Sequence, residues 1–166
     1  MPTLPIIFLA FANEKTEEAA YLHNLAKEQR QLREILEASS HCEVIIRPNV
    51  TVSEVFDVFQ KEANRGRICL FHYAGHANGF QLLLESETGG NQSAHGEGLM
   101  AFLAGQKKHG LNAVVLNGCA TEAHAAQLAE GGIATIATAQ SINDDVAVSF
   151  SERLYKAIAN QTPLKQ

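Results

Sequence analysis

The feature that most constrains this chain is an apolar run without polar alternation, Val114-Val115-Leu116, inside LNAVVLNGCATEAHAAQLAEGG. A strand covered on one face alternates apolar and polar side chains, whereas one covered on both faces does not. Strands of the second kind belong to parallel sheets packed between helices. Three further stretches read the same way: PIIFLAFA (Pro5 to Ala12), ICLFHYA (Ile68 to Ala74) and IATIATA (Ile133 to Ala139). Parallel neighbours need crossovers long enough to hold a helix. The expected fold is therefore α/β, a three-layer α/β/α sandwich around a mostly parallel sheet with right-handed connections.

The connecting segments fit that expectation. Leu22, Leu25, Leu32, Ile35 and Leu36 fall at helical spacing between Ala20 and Ala38, with Lys, Glu, Gln and Arg on the other face. CEVIIRPNV (Cys42 to Val50) reads as a shorter strand stopped by Pro48. Thr51 and Glu54 have capping-box spacing ahead of a stripe of Val55, Phe56, Phe59 and Ala63. FQLLL (Phe80 to Leu84) follows Asn78-Gly79 and reads as a short hairpin arm. The next stretch, Ser86 to Gly98, is rich in Gly and Ser without periodicity and reads as a surface loop. Leu99, Met100, Phe102 and Leu103 then mark a helix. Val146, Phe150, Leu154, Ala157 and Ile158 mark a last one, capped within Ser141 to Asp144, before TPLKQ trails off.

A chain of 166 residues, 46% apolar, suits one domain spanning 1–166 with a sizeable core. The net charge of -5, with no basic cluster longer than Lys107-Lys108, gives no footprint for nucleic acid or an anionic membrane. A polypeptide or small-molecule partner is expected instead. The opening MPTLPIIFLAFANE has neither a basic leader nor the roughly 20 apolar residues of a membrane span, so it reads as the first strand of a cytoplasmic protein. Cys42, Cys69 and Cys119 are odd in number and form no CxxC pair. That argues against a disulfide framework and a structural zinc site. No cofactor or metal is expected.

At the carboxyl end of the Leu111 to Leu116 strand, Asn117-Gly118 lifts the chain out of the sheet and presents Cys119. The third strand likewise ends in Gly75-His76. Open parallel sheets bind and react at the carboxyl ends of their strands, which makes Cys119 a candidate nucleophile and His76 its candidate proton acceptor. Thr121 to Glu130 has helix-forming composition, so Cys119 would precede a helix amino end, where the macrodipole favours the thiolate. The backbone N–H groups of Cys119 and of Ala77 are candidate oxyanion-hole donors. His72 and His76 lack a carboxylate or Cys at metal-ligand spacing. His72 is read as structural or as supporting the site from behind, and Cys42 and Cys69 as core packing. Glu122 and His124 are read as a solvated first helical turn, with lining of the cleft as the other reading.

HYAGHA (His72 to Ala77) followed by LNGCAT (Leu116 to Thr121) resembles the CHAT branch of the caspase-like cysteine peptidases, which is related to separase. The resemblance extends roughly from Leu4 to Asn160 and includes IATIATAQSINDD. It implies a caspase-like fold and a Cys-His dyad in which Cys119 attacks a peptide carbonyl, with no third catalytic member. The family commonly has Gly after the His; here Ala77 stands there, and its amide donates equally unless a positive φ strains it. Separase-like relatives use an acidic residue in the loop after the fifth strand to bind a basic substrate side chain. Asp144 or Asp145 falls in the similar place, with capping of the last helix as the other reading. The resemblance further implies a polypeptide substrate, a regulatory or sensor partner, and a setting in bacterial signalling or defence, while the Met1 start and a helix ending near Gln166 suggest an amino-terminal module of a longer protein. The alternatives are a non-catalytic caspase-like adaptor and, more distantly, a flavodoxin-like or TIR-like signalling domain.

Overall fold

A computed structural model describes residues 3–15 and 17–161; the expected TPLKQ tail lies outside the described residues. A five-stranded parallel sheet has the order β2 (Glu43–Arg47), β1 (Ile6–Phe11), β3 (Ile68–Ala74), β6 (Ala113–Asn117), β7 (Ala134–Ala137). A two-stranded antiparallel ribbon, β4 (Gln81–Glu85) and β5 (Asn91–His95), stands apart from it. The helices are α1 (Leu25–Glu37), α2 (Val52–Gln60), α3 (Gly96–Gly105), α4 (Glu122–Glu130) and α5 (Asp144–Ala159). The fold is the expected α/β/α sandwich.

Alternate strand residues sort onto two cores. Phe8, Phe71, Tyr73, Val114 and Leu116 pack beneath α2, α3 and α4 with Val55, Phe59, Met100 and Leu128. Ile7, Leu9, Phe11, Leu70 and Val115 pack beneath α1 and α5 with Leu32, Leu36, Leu154 and Tyr155. Both faces of each central strand are thus apolar, which is why those runs lack alternation. The strand order reverses direction between β1 and β3, and this is where ligands enter such sheets.

The capping box at Thr51 and Glu54 is present and starts α2. The helix stops at Gln60, so Ala63 falls outside it and is exposed, while Val58 takes a buried place in the stripe. The first helix begins at Leu25 rather than Ala20. Asn13 accompanies the delay: its side-chain oxygen accepts the Leu22 N–H at 2.8 Å and its amide donates to the Leu22 carbonyl at 3.0 Å, pinning Leu22 to the loop after β1, while the same carbonyl accepts the Leu25 N–H at 3.3 Å.

The Ser86 to Gly98 stretch is not all loop, because Asn91 to His95 pairs with β4 and α3 starts at Gly96. Only Ala94 of β5 is buried, so the strand carries no apolar pattern to read. The buried face of α5 is also rotated from the expected stripe: Val148, Ser151, Leu154 and Tyr155 point inward, leaving Val146 59% and Phe150 45% exposed. Among the described residues, no helix is long and apolar enough to cross a membrane.

Candidate active site

The two strand ends meet by register. Ala74 opposes Asn117 as the last residue pair of β3 and β6, so His76 and Cys119 each lie two residues beyond it. The Gly75 N–H donates to the Asn117 carbonyl at 3.3 Å. Neither turn has room for a side chain. A Cβ on Gly75 would fall 2.5 Å from the Ala12 carbonyl oxygen, and one on Gly118 would fall 2.8 Å from the Gly75 carbonyl oxygen and 2.9 Å from the Ala77 Cβ. The turns carrying His76 and Cys119 therefore press backbone against backbone.

Past Gly118 the chain bends sharply. Ala120 has φ 52°, a left-handed conformation that costs an alanine about 1–2 kcal/mol. Neighbouring groups hold it there. The buried Thr121 hydroxyl donates to the Leu116 carbonyl at 3.2 Å and accepts the Thr138 N–H at 3.1 Å, while Thr138 Oγ1 donates to the Gly118 carbonyl. The bend leaves Cys119 half-buried, three residues ahead of the first residue of α4, with its Sγ 3.4 Å from the Ser141 hydroxyl. Strain of this kind, over-determined by its surroundings, is typical of functional turns.

His76 is held from the opposite direction. Its Nε2 bonds to the Ala20 carbonyl, and a carbonyl only accepts, so Nε2 carries the proton. In the neutral ring Nδ1 is then the basic nitrogen. The His76 carbonyl accepts the Tyr73 hydroxyl at 2.6 Å and the Leu83 N–H at 2.9 Å, so the backbone at this position is fixed too. The imidazole lines a cleft of about 200 Å³ with Glu14, Ala20, Ala77, Asn78 and Gln81, at the point where the strand order reverses. Among the described residues no hydrogen bond joins imidazole to thiol. The fold brings their backbones together and gives each side chain its own neighbour.

The Cys119 and Ala77 backbone N–H groups have no acceptor among the described residues. The described non-glycine residues with positive φ are Asn49, Ala120 and Gln161, so Ala77 carries no left-handed strain. The carboxylates of Asp144 and Asp145 are engaged elsewhere: Asp144 accepts the Asn24 N–H at 3.1 Å and Asp145 accepts the Asn24 side-chain amide at 2.7 Å. Each of these bonds occupies one carboxylate oxygen and, among the described residues, leaves the other open. The last helix is capped by Asn143, whose side chain accepts the Asp145 N–H at 2.9 Å.

Of the first-turn residues of α4, Glu122 is exposed but His124 is buried. His124 packs against Gly96 and bonds to the Asn78 carbonyl at 2.9 Å, which ties α4 to the loop after His76. His72 is fully buried, as its structural reading expects. Cys42 and Cys69 are half-buried and pack against the core beneath α1 and α5, and burial pushes both thiols above the ordinary range. No group of three His, Cys, Asp or Glu side chains among the described residues is placed to hold a metal ion.

No protein-family model matches this chain, and no curated protein matches it.

Sequence reading passed over four participants. Ala20 acts through a backbone carbonyl that nothing in the sequence marks, and Ser141 acts through a hydroxyl that the sequence suggests only as part of a helix cap. Glu28 and Asn117 did leave a signal. Glu28 lies three residues after Leu25 and four before Leu32, on the apolar stripe of α1, where a carboxylate is out of place.

Proposed function

We propose that this chain is a cysteine peptidase domain of the CHAT type, cleaving a polypeptide substrate with a Cys119-His76 dyad. The observation that carries the reading is the paired strand ends: β3 and β6 run in register into His76 and Cys119 through two glycine turns in backbone contact. The Ala20 carbonyl supports it further, because it selects the His76 tautomer whose Nδ1 accepts a proton.

In this reading Nδ1 of His76 takes the Cys119 proton as Sγ attacks the scissile carbonyl. The resulting oxyanion is met by the N–H groups of Cys119 and Ala77. The imidazolium then returns the proton to the departing amine, leaving a thioester that water hydrolyses with the same histidine as base. Ala20 orients the ring through a carbonyl, so a third catalytic side chain is not required. The setting that goes with this chemistry is cytoplasmic, where thiols stay reduced, with a regulatory partner or domain governing access.

A Cys119→Ala variant is expected to lose all cleavage of the natural target, and His76→Ala about 10²- to 10⁴-fold. Undiminished cleavage by Cys119→Ala would refute the dyad. The second reading is a non-catalytic adaptor of the same fold, favoured by one observation: the thiol contacts Ser141 and the imidazole Ala20, rather than each other. An electrophilic thiol probe separates the two. Labelling of Cys119 that falls on His76→Ala supports the peptidase, and an inert Cys119 in the partner-bound protein supports the adaptor.

A further inference from the structure

Directly beneath the two strand ends, on the α1 and α5 side of the sheet, lies a cluster of buried polar groups that the dyad does not use. Asn117, two residues before Cys119 and 9% exposed, donates both side-chain amide hydrogens. One goes to Glu28 Oε1 at 2.8 Å and the other to the Ser151 hydroxyl at 3.1 Å. Glu28 on α1 is 2% exposed and Ser151 on α5 is 0% exposed. Glu28 Oε1 also lies 3.6 Å from Nε2 of His72, which is 0% exposed and has no hydrogen-bond partner on either ring nitrogen among the described residues.

A buried carboxylate is costly unless it is paired, and a leucine at position 28 would continue the α1 stripe at no such cost. Packing therefore does not account for Glu28. It accepts its hydrogen bond from Asn117, with the His72 ring 3.6 Å away. Asn117 is bound through its backbone as well, since its carbonyl accepts the Gly75 N–H beside His76. Asn117 is thus tied to α1, to α5 and to the turn of β3, at the last position before the chain bends to Cys119.

We propose that Asn117 is a positioning residue for Cys119, and that Glu28 and Ser151 make the seating of α1 and α5 a determinant of where the thiol stands. The proposal rests on the reading of Cys119 as a nucleophile. It assigns Asn117 no contact with substrate: the side chain acts by fixing the end of β6, from which Gly118 and the strained Ala120 set where the thiol stands. Displacing a reacting group by about 1 Å costs on the order of 100-fold in rate.

The test follows iodoacetamide alkylation of the intact protein as a function of pH, resolved for each cysteine by peptide mapping. Asn117→Ala is expected to slow alkylation of Cys119 at neutral pH about 10- to 100-fold and to move its pH profile upward. Cys42 and Cys69 serve as fold controls and should keep their rates. Ser151→Ala, which removes one of the two bonds, should fall between wild type and Asn117→Ala, and decides the matter if Asn117→Ala does not fold. Glu28→Gln keeps an oxygen acceptor for Asn117 and should retain near-wild-type reactivity. Folded Asn117→Ala or Ser151→Ala protein whose Cys119 profile matches wild type would overturn the positioning role alone. If wild-type Cys119 reacts no faster than Cys42 and Cys69, and His76→Ala leaves it unchanged, the nucleophile reading fails and this proposal with it.

Discussion

The two faces of the sheet are covered by equally apolar strands yet treat polar groups differently. Beneath α2, α3 and α4, Phe8 packs edge-on against Phe71 and Phe59, with ring centroids 5.2 and 5.9 Å apart. The deeply buried phenol on that side, Tyr73, shares its hydroxyl proton between the carbonyls of His76 at 2.6 Å and Leu83 at 2.7 Å. Beneath α1 and α5, Glu28, His72, Asn117, Ser151 and the Tyr155 hydroxyl are buried together, and the Tyr155 hydroxyl has no partner among the described residues. The first face buries polar side chains too, but Asn64 and His124 there each bond to a backbone carbonyl. The other accepts unfavourable burial directly under the paired strand ends, a pattern in which stability is exchanged for the placement of particular groups.

Substitutions that hold chemistry constant and change only the face put this contrast at risk. The largest effect is expected for Phe8→Ala, which empties the centre of the aromatic cluster and should cost about 3–5 kcal/mol in urea unfolding. A loss below about 1 kcal/mol would show that the face is not the stabilising one. Next come the two tyrosines. Tyr73→Phe abandons two carbonyls, one of them that of His76, and should cost about 1–3 kcal/mol. Tyr155→Phe removes a hydroxyl with nothing to lose and should be neutral or slightly stabilising. Equal losses from the two would erase the distinction between the faces.

The same pair predicts an alkaline effect. Burial raises the Tyr155 phenol well above its usual range, with the Glu28 carboxylate and Cys69 adding to it. A raised native pKa means the unfolded state ionises first. The group's stabilisation is complete below the unfolded value of about 10 and is lost as pH rises beyond it. Stability of wild type should therefore fall above about pH 10, and Tyr155→Phe should fall less steeply there. Parallel curves for the two proteins would contradict the neutral, buried phenol. The smallest change is expected for Ala120→Gly. Relief of left-handed strain and the added freedom of the unfolded chain oppose each other at about 1 kcal/mol apiece, leaving melting nearly unmoved. A strong destabilisation would mean that the Ala120 methyl, rather than the bend, is what matters.

How much of this was legible before folding depends on the range of the interaction. Thr51 and Glu54 announce α2 because a capping box closes within four residues. β5 was hidden because Gln92 and Ser93 are exposed and the strand exists only by pairing with β4. The start of α1 was misplaced where Asn13, nine residues upstream of Leu22, pins that residue to the loop after β1. For α5, either of two faces could have been the apolar one, and docking against α1 chose Val148, Ser151 and Tyr155.

By itself the sequence pointed to the parallel sheet, because apolar runs without alternation, joined by segments with helical spacing, fit strands covered on both faces. It also determined that two strands end in glycine followed by a histidine in one case and a cysteine in the other. Tertiary structure alone decided what those residues touch. It put the Ala20 carbonyl on the His76 ring, Ser141 beside the Cys119 thiol, and Glu28 beneath Asn117. These partners lie 56, 22 and 89 residues apart in the chain. Periodicity is a local property of a few turns or strand residues, and contacts at such separations leave no trace in it.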